Sequence, residues 1–355
     1  MIKKKKLRTK TCNVSKHVQC SYIVVLSLWY SFYYLLLHSI HIYSKVDAGQ
    51  LDEAQTLVIQ GVNILSSHNK YAEAADLGDM LIKTYTTNNT SLSDTIIDAI
   101  CQVSSAFPAN AAAAAVNITV LRAALKWASH APLSSSFTAL TSSSSTSSSS
   151  TSTTDNALTP QQILLAKLHV LAARACVLAG PEYYSDGQRH YLESYGSGTE
   201  FGAFLWKWSK QEGYATERDL FLARAILQLL CLGNMKDANA VRDEFLRLEN
   251  QYCTENEQSS LCLESPLVHF IKFLLLTLER DAKQLYLTLV DKYTPSLNRD
   301  KVFFDYLQTI GYRYYHISPP QSGLDNMMSA MMNMFGGGGG GNGGFPAFPF
   351  PGGRM

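Results

Sequence analysis

Few side chains in this chain are placed for acid–base work. His190 with Asp186, and His269 with Glu264, are pairs that could pass a proton to a substrate, but neither sits beside a nucleophile. A lone histidine on a helix is usually structural. The seven cysteines, Cys12, Cys20, Cys101, Cys176, Cys231, Cys253 and Cys262, contain no CxxC pair. An odd count, with Cys176 and Cys231 on apolar helical stretches, points to reduced thiols in a cytosolic protein. Cys253 and Cys262 share one loop and could close a disulfide or hold a metal, although no histidine lies between them to complete a ligand set. The glycine run after Phe335 lacks a following Lys-Ser or Lys-Thr, so it is not a phosphate loop. These residues predict no enzyme, no cofactor, no metal and no small-molecule substrate.

The elements around them carry the clearer signal. Residues 201–248 read as a helical hairpin. From Glu217 the apolar positions Leu220, Phe221, Ala223, Ala225, Ile226, Leu227, Leu229 and Leu230 form a face broad enough to be sandwiched between neighbours. Thr216 and Asp219 have the spacing of an N-cap and its acidic companion. Gly233 is placed for a left-handed C-cap. Past the turn at Asn234, a second helix should turn Ala238, Val241, Phe245 and Leu248 inward. The pattern of turn, acid and alanine recurs at Gly49–Ala54, Asn69–Ala74 and Glu279–Ala282. The acid suits the positive end of a helix dipole, and the alanine permits close approach of the preceding helix. The expected fold is all-α, a right-handed α-solenoid of tetratricopeptide-like helical hairpins, with an irregular helical bundle as the simpler alternative.

Composition divides the chain further. Residues 1–46 hold Lys3, Lys4, Lys5, Lys6, Arg8, Lys10, Lys16 and Lys45 and no acid, so the whole chain's formal +1 becomes −7 for residues 47–355. A mildly acidic body argues against nucleic acid as a partner. The basic lead precedes an apolar run, Tyr22 to Leu37, continuing to Tyr43 through His38 and His41; it has the layout of a signal anchor, with its uninterrupted part at the short limit of a span. Residues 131–157 are a Ser/Thr-rich disordered insertion, and residues 319–355 a disordered tail rich in Met, then Gly, then Phe-Pro. Flexible Met and Phe side chains suit adaptable contacts with apolar surfaces. The expected layout is a lead over 1–44, solenoid over 45–130 and again over 158–318, with the insertion between and the tail after.

Three pieces between residues 190 and 317 give a more specific signal: HYLESYGSGTEFGAFLWKW, EGYATERDLFLARAILQLLCLGNMKDAN and SPLVHFIKFLLLTLERDAKQLYLTLVDKYTPSLNRDKVFFDYLQTIGYRYYHI. In order and spacing they resemble the C-terminal half of the Golgi-to-ER traffic protein 4 family. Upstream, VIQGVNILSSHNKYAEAADLGDMLIKTY at residues 58–85 resembles the family's second or third helical pair. The resemblance implies a non-catalytic cytosolic adaptor in the guided-entry pathway, which delivers tail-anchored proteins to the ER membrane. It implies that the C-terminal half grips a ubiquitin-like partner, that the N-terminal half docks the targeting ATPase, and that in some lineages a BAG-domain chaperone joins them.

On that resemblance, the polar connection after Glu249 folds over a partner helix. Tyr252, Leu261 and Leu263 would cover the helix, and Leu267, Phe270, Ile271 and Leu274 would floor the groove. Residues 1–44 depart from the family pattern. They stand where its first helical pair belongs and do not resemble it, which puts ATPase docking in question and reads as a misassigned gene start. The rival reading is a membrane-anchored helical-repeat scaffold using residues 22–43 as its span.

Overall fold

The computed structural model describes residues 35–134, 158–256 and 262–317. The basic lead, most of the Ser/Thr insertion, Leu261 and the Met/Gly/Phe tail lie outside the described residues. The described chain is helical, apart from a single bridge between Leu92 and Leu133. Helix α1 spans residues 35–47, followed by α2 (Leu51–Ser67), α3 (Tyr71–Thr87), α4 (Asp94–Ser105) and α5 (Ala111–Ala128). After the insertion come α6 (Pro160–Ala179), α7 (Tyr184–Leu192), α8 (Gly198–Gln211), α9 (Arg218–Leu232), α10 (Met235–Glu255), α11 (Pro266–Glu279), α12 (Lys283–Leu297) and α13 (Val302–Tyr315). Helices pack on the next in sequence and on the next but one: α2 meets α3 and α4, α8 meets α10, and α9 meets α10 and α11. That is the contact pattern of a solenoid of hairpins.

One turn recurs. Gly49, Asn69, Gly233 and Asp281 each adopt a left-handed conformation, with φ of 73°, 58°, 80° and 51°. In each case the next residue's N–H bonds back five residues: Gln50 to Lys45, Lys70 to Leu65, Asn234 to Leu229 and Ala282 to Thr277. The following helix starts one residue later, at Leu51, Tyr71, Met235 and Lys283. Gly, Asn and Asp are the residues that tolerate this conformation, and the bond satisfies a carbonyl that the helix end leaves open. At the last of these turns the acid itself is the left-handed residue, and α12 has no acid in its first turn.

The first of these turns joins α1 to α2, which alters the expected boundary. Residues 35–47 form a helix whose Ile42 is fully buried in the N-terminal core, so the fold begins before residue 45. The end of the apolar run proposed as a membrane span is packed here on α2, while residues 22–34 lie outside the described residues. Among the described residues one helix, α6, is long and apolar enough to cross a membrane. It supplies Leu164, Leu168, Ala172 and Cys176 to one core and Ala173 to the other, the behaviour of a central packing helix. A capping box at Thr159 and Gln162, with Pro160 at the first helical position, starts α6 directly after the insertion.

The two cores differ in what fills them. The N-terminal core, from Ile42 to Cys176, is mainly aliphatic and alanine-rich, with Tyr85, Phe107 and Trp127 as its buried aromatics. The C-terminal core contains a chain of rings in which Tyr191, Phe201 and Phe204 lie 5.2–6.4 Å apart and Trp208 lies 5.6 Å beyond Phe204. Helices α8 and α10 approach at backbone distance, because a Cβ on Gly198 or Gly202 would stand 2.7 or 2.8 Å from the carbonyls of Asp237 or Val241.

Candidate functional site: a cleft between α10 and α11

Helices α10 and α11 frame a cleft of about 430 Å³. Leu246, Leu263, Val268 and Leu276 line it, and Arg242 and Lys272 lie at its edge. On α10 the spacing Arg242–Leu246, and on α11 Val268–Lys272–Leu276, is one helical turn per step, so each wall is a single stripe. The cleft is apolar within, and its polar lining is mixed: Arg242, Asp243, His269 and Lys272. Arg242 is tied to Asp243 at 2.7 Å, and Lys272 is exposed.

Buried polar links hold both walls. The Glu249 carboxylate on α10 is buried, and accepts from Trp206 Nε1 at 3.0 Å and from Arg218 at 3.0 Å. Asp219 near the start of α9 is also buried, and accepts from Ser265 Oγ and from Arg299. Ser265 in turn caps α11, accepting from Leu267 N–H at 3.2 Å, with Pro266 in the first turn. These links differ from the local expectations. Asp219 does not complete a cap with Thr216, because α9 starts at Arg218 without a side-chain cap and Asp219 bridges helices instead. On α10 Ala238, Val241 and Phe245 face inward as expected, but the next inward position is Glu249, and Leu248 is half-exposed.

The connection between α10 and α11 is pinned at both ends. Cys253 and Cys262 are buried free thiols on either side of it. Burial first, then the neighbouring Glu249 and Asp219 carboxylates, push the Cys262 thiol up to about 12, which makes it a poor nucleophile and a poor metal ligand at neutral pH. Among the described residues no group of three or more His, Cys, Asp or Glu side chains could hold a metal.

The residues expected at the partner site fall into two sets. Tyr252 is half-buried on α10, edge-on to Trp206 at 6.2 Å, with the Lys210 ammonium 2.9 Å over its ring. Leu263 is half-buried and lines the cleft. Leu261 lies outside the described residues. Leu267, Phe270, Ile271 and Leu274 are buried in the C-terminal core, with Phe270 against Tyr293 at 5.6 Å. They lie beneath the cleft, whose α11 wall is Val268, itself buried, with His269, Lys272 and Leu276. Helix α11 is apolar on more of its circumference than one core contact needs, and this second stripe is the signal that would have found them.

The candidate proton-transfer pairs are not formed as pairs. Asp186 pairs with Arg122 at 2.6 Å, and His269 Nδ1 lies 3.0 Å from the Ser265 carbonyl. His190 instead meets His169, with the two Nδ1 atoms 3.0 Å apart, and His169 Nε2 lies 3.1 Å from Glu193. Burial, then the facing His169, hold His190 down to about 4. This cluster joins α6 to α7 at the seam of the two cores.

Comparison with known proteins agrees with this architecture. A family model described as Golgi to ER traffic protein 4 matches residues 48–335. The Golgi to ER traffic protein 4 homologue of Dictyostelium discoideum is 30% identical over 290 residues, 80% of this chain and 78% of its own length. The Oryzias latipes homologue is 27% identical over 285 residues, 79% of this chain and 76% of its own length, and the Homo sapiens homologue is 26% identical over the same span. A solved structure titled as the crystal structure of C. therm. Get4 aligns with a TM-score of 0.59 at 17% identity, covering 89% of this chain and 92% of that one. At that identity the alignment speaks to the fold.

Proposed function

This chain belongs to the Golgi to ER traffic protein 4 family, and on that premise we propose that it is a non-catalytic adaptor in the cytosolic delivery of tail-anchored proteins to the ER membrane. In this reading the C-terminal half binds the ubiquitin-like partner of the pathway and the N-terminal half meets the targeting ATPase, with a BAG-domain chaperone joining in lineages that have one. The observation that carries it is the α10–α11 cleft. Its apolar floor suits the apolar stripe of an amphipathic helix, the helix-in-groove mode of recognition. Its walls are held by buried polar links, so little ordering cost falls on binding.

Leu263, Leu246, Val268 and Leu276 are the direct contacts of this reading, with Tyr252 at the far end of α10 under Lys210 of α8, and Leu267, Phe270, Ile271 and Leu274 as support. The test is a pull-down with the tagged full-length chain, using the purified ubiquitin-like protein and, separately, the purified ATPase. Retention of both, in one ternary complex, is the expected result. Loss of the ubiquitin-like protein would remove the adaptor reading, and loss of the ATPase alone would restrict it to the C-terminal half.

A further inference from the structure

The last hairpin of the solenoid is left with an open apolar groove. Helix α13 packs mainly on α9, and only lightly on α12. Between α12 and α13 this leaves a groove of about 350 Å³, lined by Leu287, Val290, Phe304, Leu307, Gly311 and Ile317. Within it Leu287 is 45% exposed. A terminal repeat normally presents a polar outer face, because no further repeat covers it. Here it does not.

Three observations indicate what covers it. First, the chain turns back toward the groove. His316 adopts φ 51°, Ile317 N–H bonds to the Gly311 carbonyl at 3.1 Å, and Ile317 itself lines the groove. The residues that follow are delivered at the groove's edge. Second, the sequence that follows has the right chemistry. Leu324, Met327, Met328, Met331 and Met334 recur at helical spacing, with Asp325, Asn326, Ser329 and Asn333 between them. Unbranched Met side chains adapt to irregular apolar surfaces. The six residues between Ile317 and Leu324 can span roughly 20 Å, about the length of α13. Third, the family model extends past the last described helix to residue 335 and stops as the glycine run begins.

We propose that residues 324–335 dock with their apolar stripe in the groove between α12 and α13, and so cap the C-terminal end of the solenoid. The Gly-rich run that follows then acts as the tether between this cap and the Phe-Pro terminus.

Hydrogen exchange on the full-length chain tests the cap. In the double variant Met327→Asp/Met331→Asp, backbone amides of α12 and α13 should exchange about tenfold faster than in the parent, with α2–α5 unchanged. Leu287→Asp, an exposed groove position, should produce the same local effect, and Met327→Leu/Met331→Leu should retain parental protection. Parental exchange over α12 and α13 in the Met→Asp variant would overturn the proposal. So would protection that rises with protein concentration, which assigns the groove to a second copy's tail, or protection gained only when a pathway partner is added.

Discussion

The two cores are built from the same helical hairpins but are held together by different forces. Buried polar groups of the N-terminal core are neutral, such as Asn117 bonded to Ser104 at 2.9 Å. Its cross-helix ion pairs, Lys167–Asp94 and Arg122–Asp186, are exposed. The C-terminal core buries three carboxylates, Asp219, Asp237 and Glu249, and each is bonded to another element of the fold. Apolar packing is non-directional and tolerates sliding, whereas a buried carboxylate is satisfied in one arrangement only. The contrast suggests that the N-terminal half is a compliant stack and the C-terminal half a fixed frame, with the proposed partner cleft in the fixed part.

The sharpest way to break this contrast is to remove one buried carboxylate. Glu249→Ala leaves Arg218 and Trp206 without their acceptor and should cost about 3–5 kcal/mol. Asn117→Ala in the other core should cost only about 1 kcal/mol. Chemical denaturation with matched variants reports both. Equal losses would erase the distinction.

Close backbone approach offers a second comparison. In Gly198→Ala the new Cβ meets the Asp237 carbonyl, and that backbone cannot yield easily, so a loss of about 2–3 kcal/mol is expected. Gly78→Ala in the N-terminal core meets only Val120 and Val103 side chains, at 3.0 and 3.3 Å, and should cost about 1 kcal/mol. Thermal unfolding of the two variants would rank them, and the reverse order would contradict the frame-and-stack picture.

The seam between the cores should respond to pH. His190 is held at about 4, below the ordinary histidine value, by burial and by His169. The unfolded chain therefore takes up the proton first. Stability from this group is complete above about pH 6.5 and is lost as pH falls from there to about 4, by about 2 kcal/mol after allowing for partial exposure. Glu193, held low by its hydrogen bond to His169, extends the loss further into acid. His190→Gln should flatten the pH 6.5–4 segment of the stability curve, and an unchanged slope would exclude the seam as its origin.

Much of the fold was legible in the sequence because its turns are local. Gly49, Asn69, Gly233 and Asp281 announce their hairpins by residue type, and the apolar stripes of α9 and α10 announce their burial. The cross-helix links were not legible. Asp219 reads as a capping acid until Arg299, eighty residues later, is seen to reach it. The candidate site was half legible for a related reason. Helix α11 is apolar enough that its stripe Leu267, Phe270, Ile271 and Leu274 is easily taken for the stripe along the cleft, Val268, Lys272 and Leu276, since the two differ by one position of rotation. Helix α1 was hidden because its apolar residues continue a longer apolar run.

The central claim is that the fixed half presents the partner cleft. Titration calorimetry of the full-length chain with the proposed ubiquitin-like partner tests it most directly, comparing Leu263→Asp and Leu246→Asp with the exposed N-terminal control Ile64→Asp. The account predicts that each cleft variant weakens binding by at least about tenfold, the scale of losing one anchor, while Ile64→Asp binds like the parent. Parental affinity in both cleft variants would contradict it.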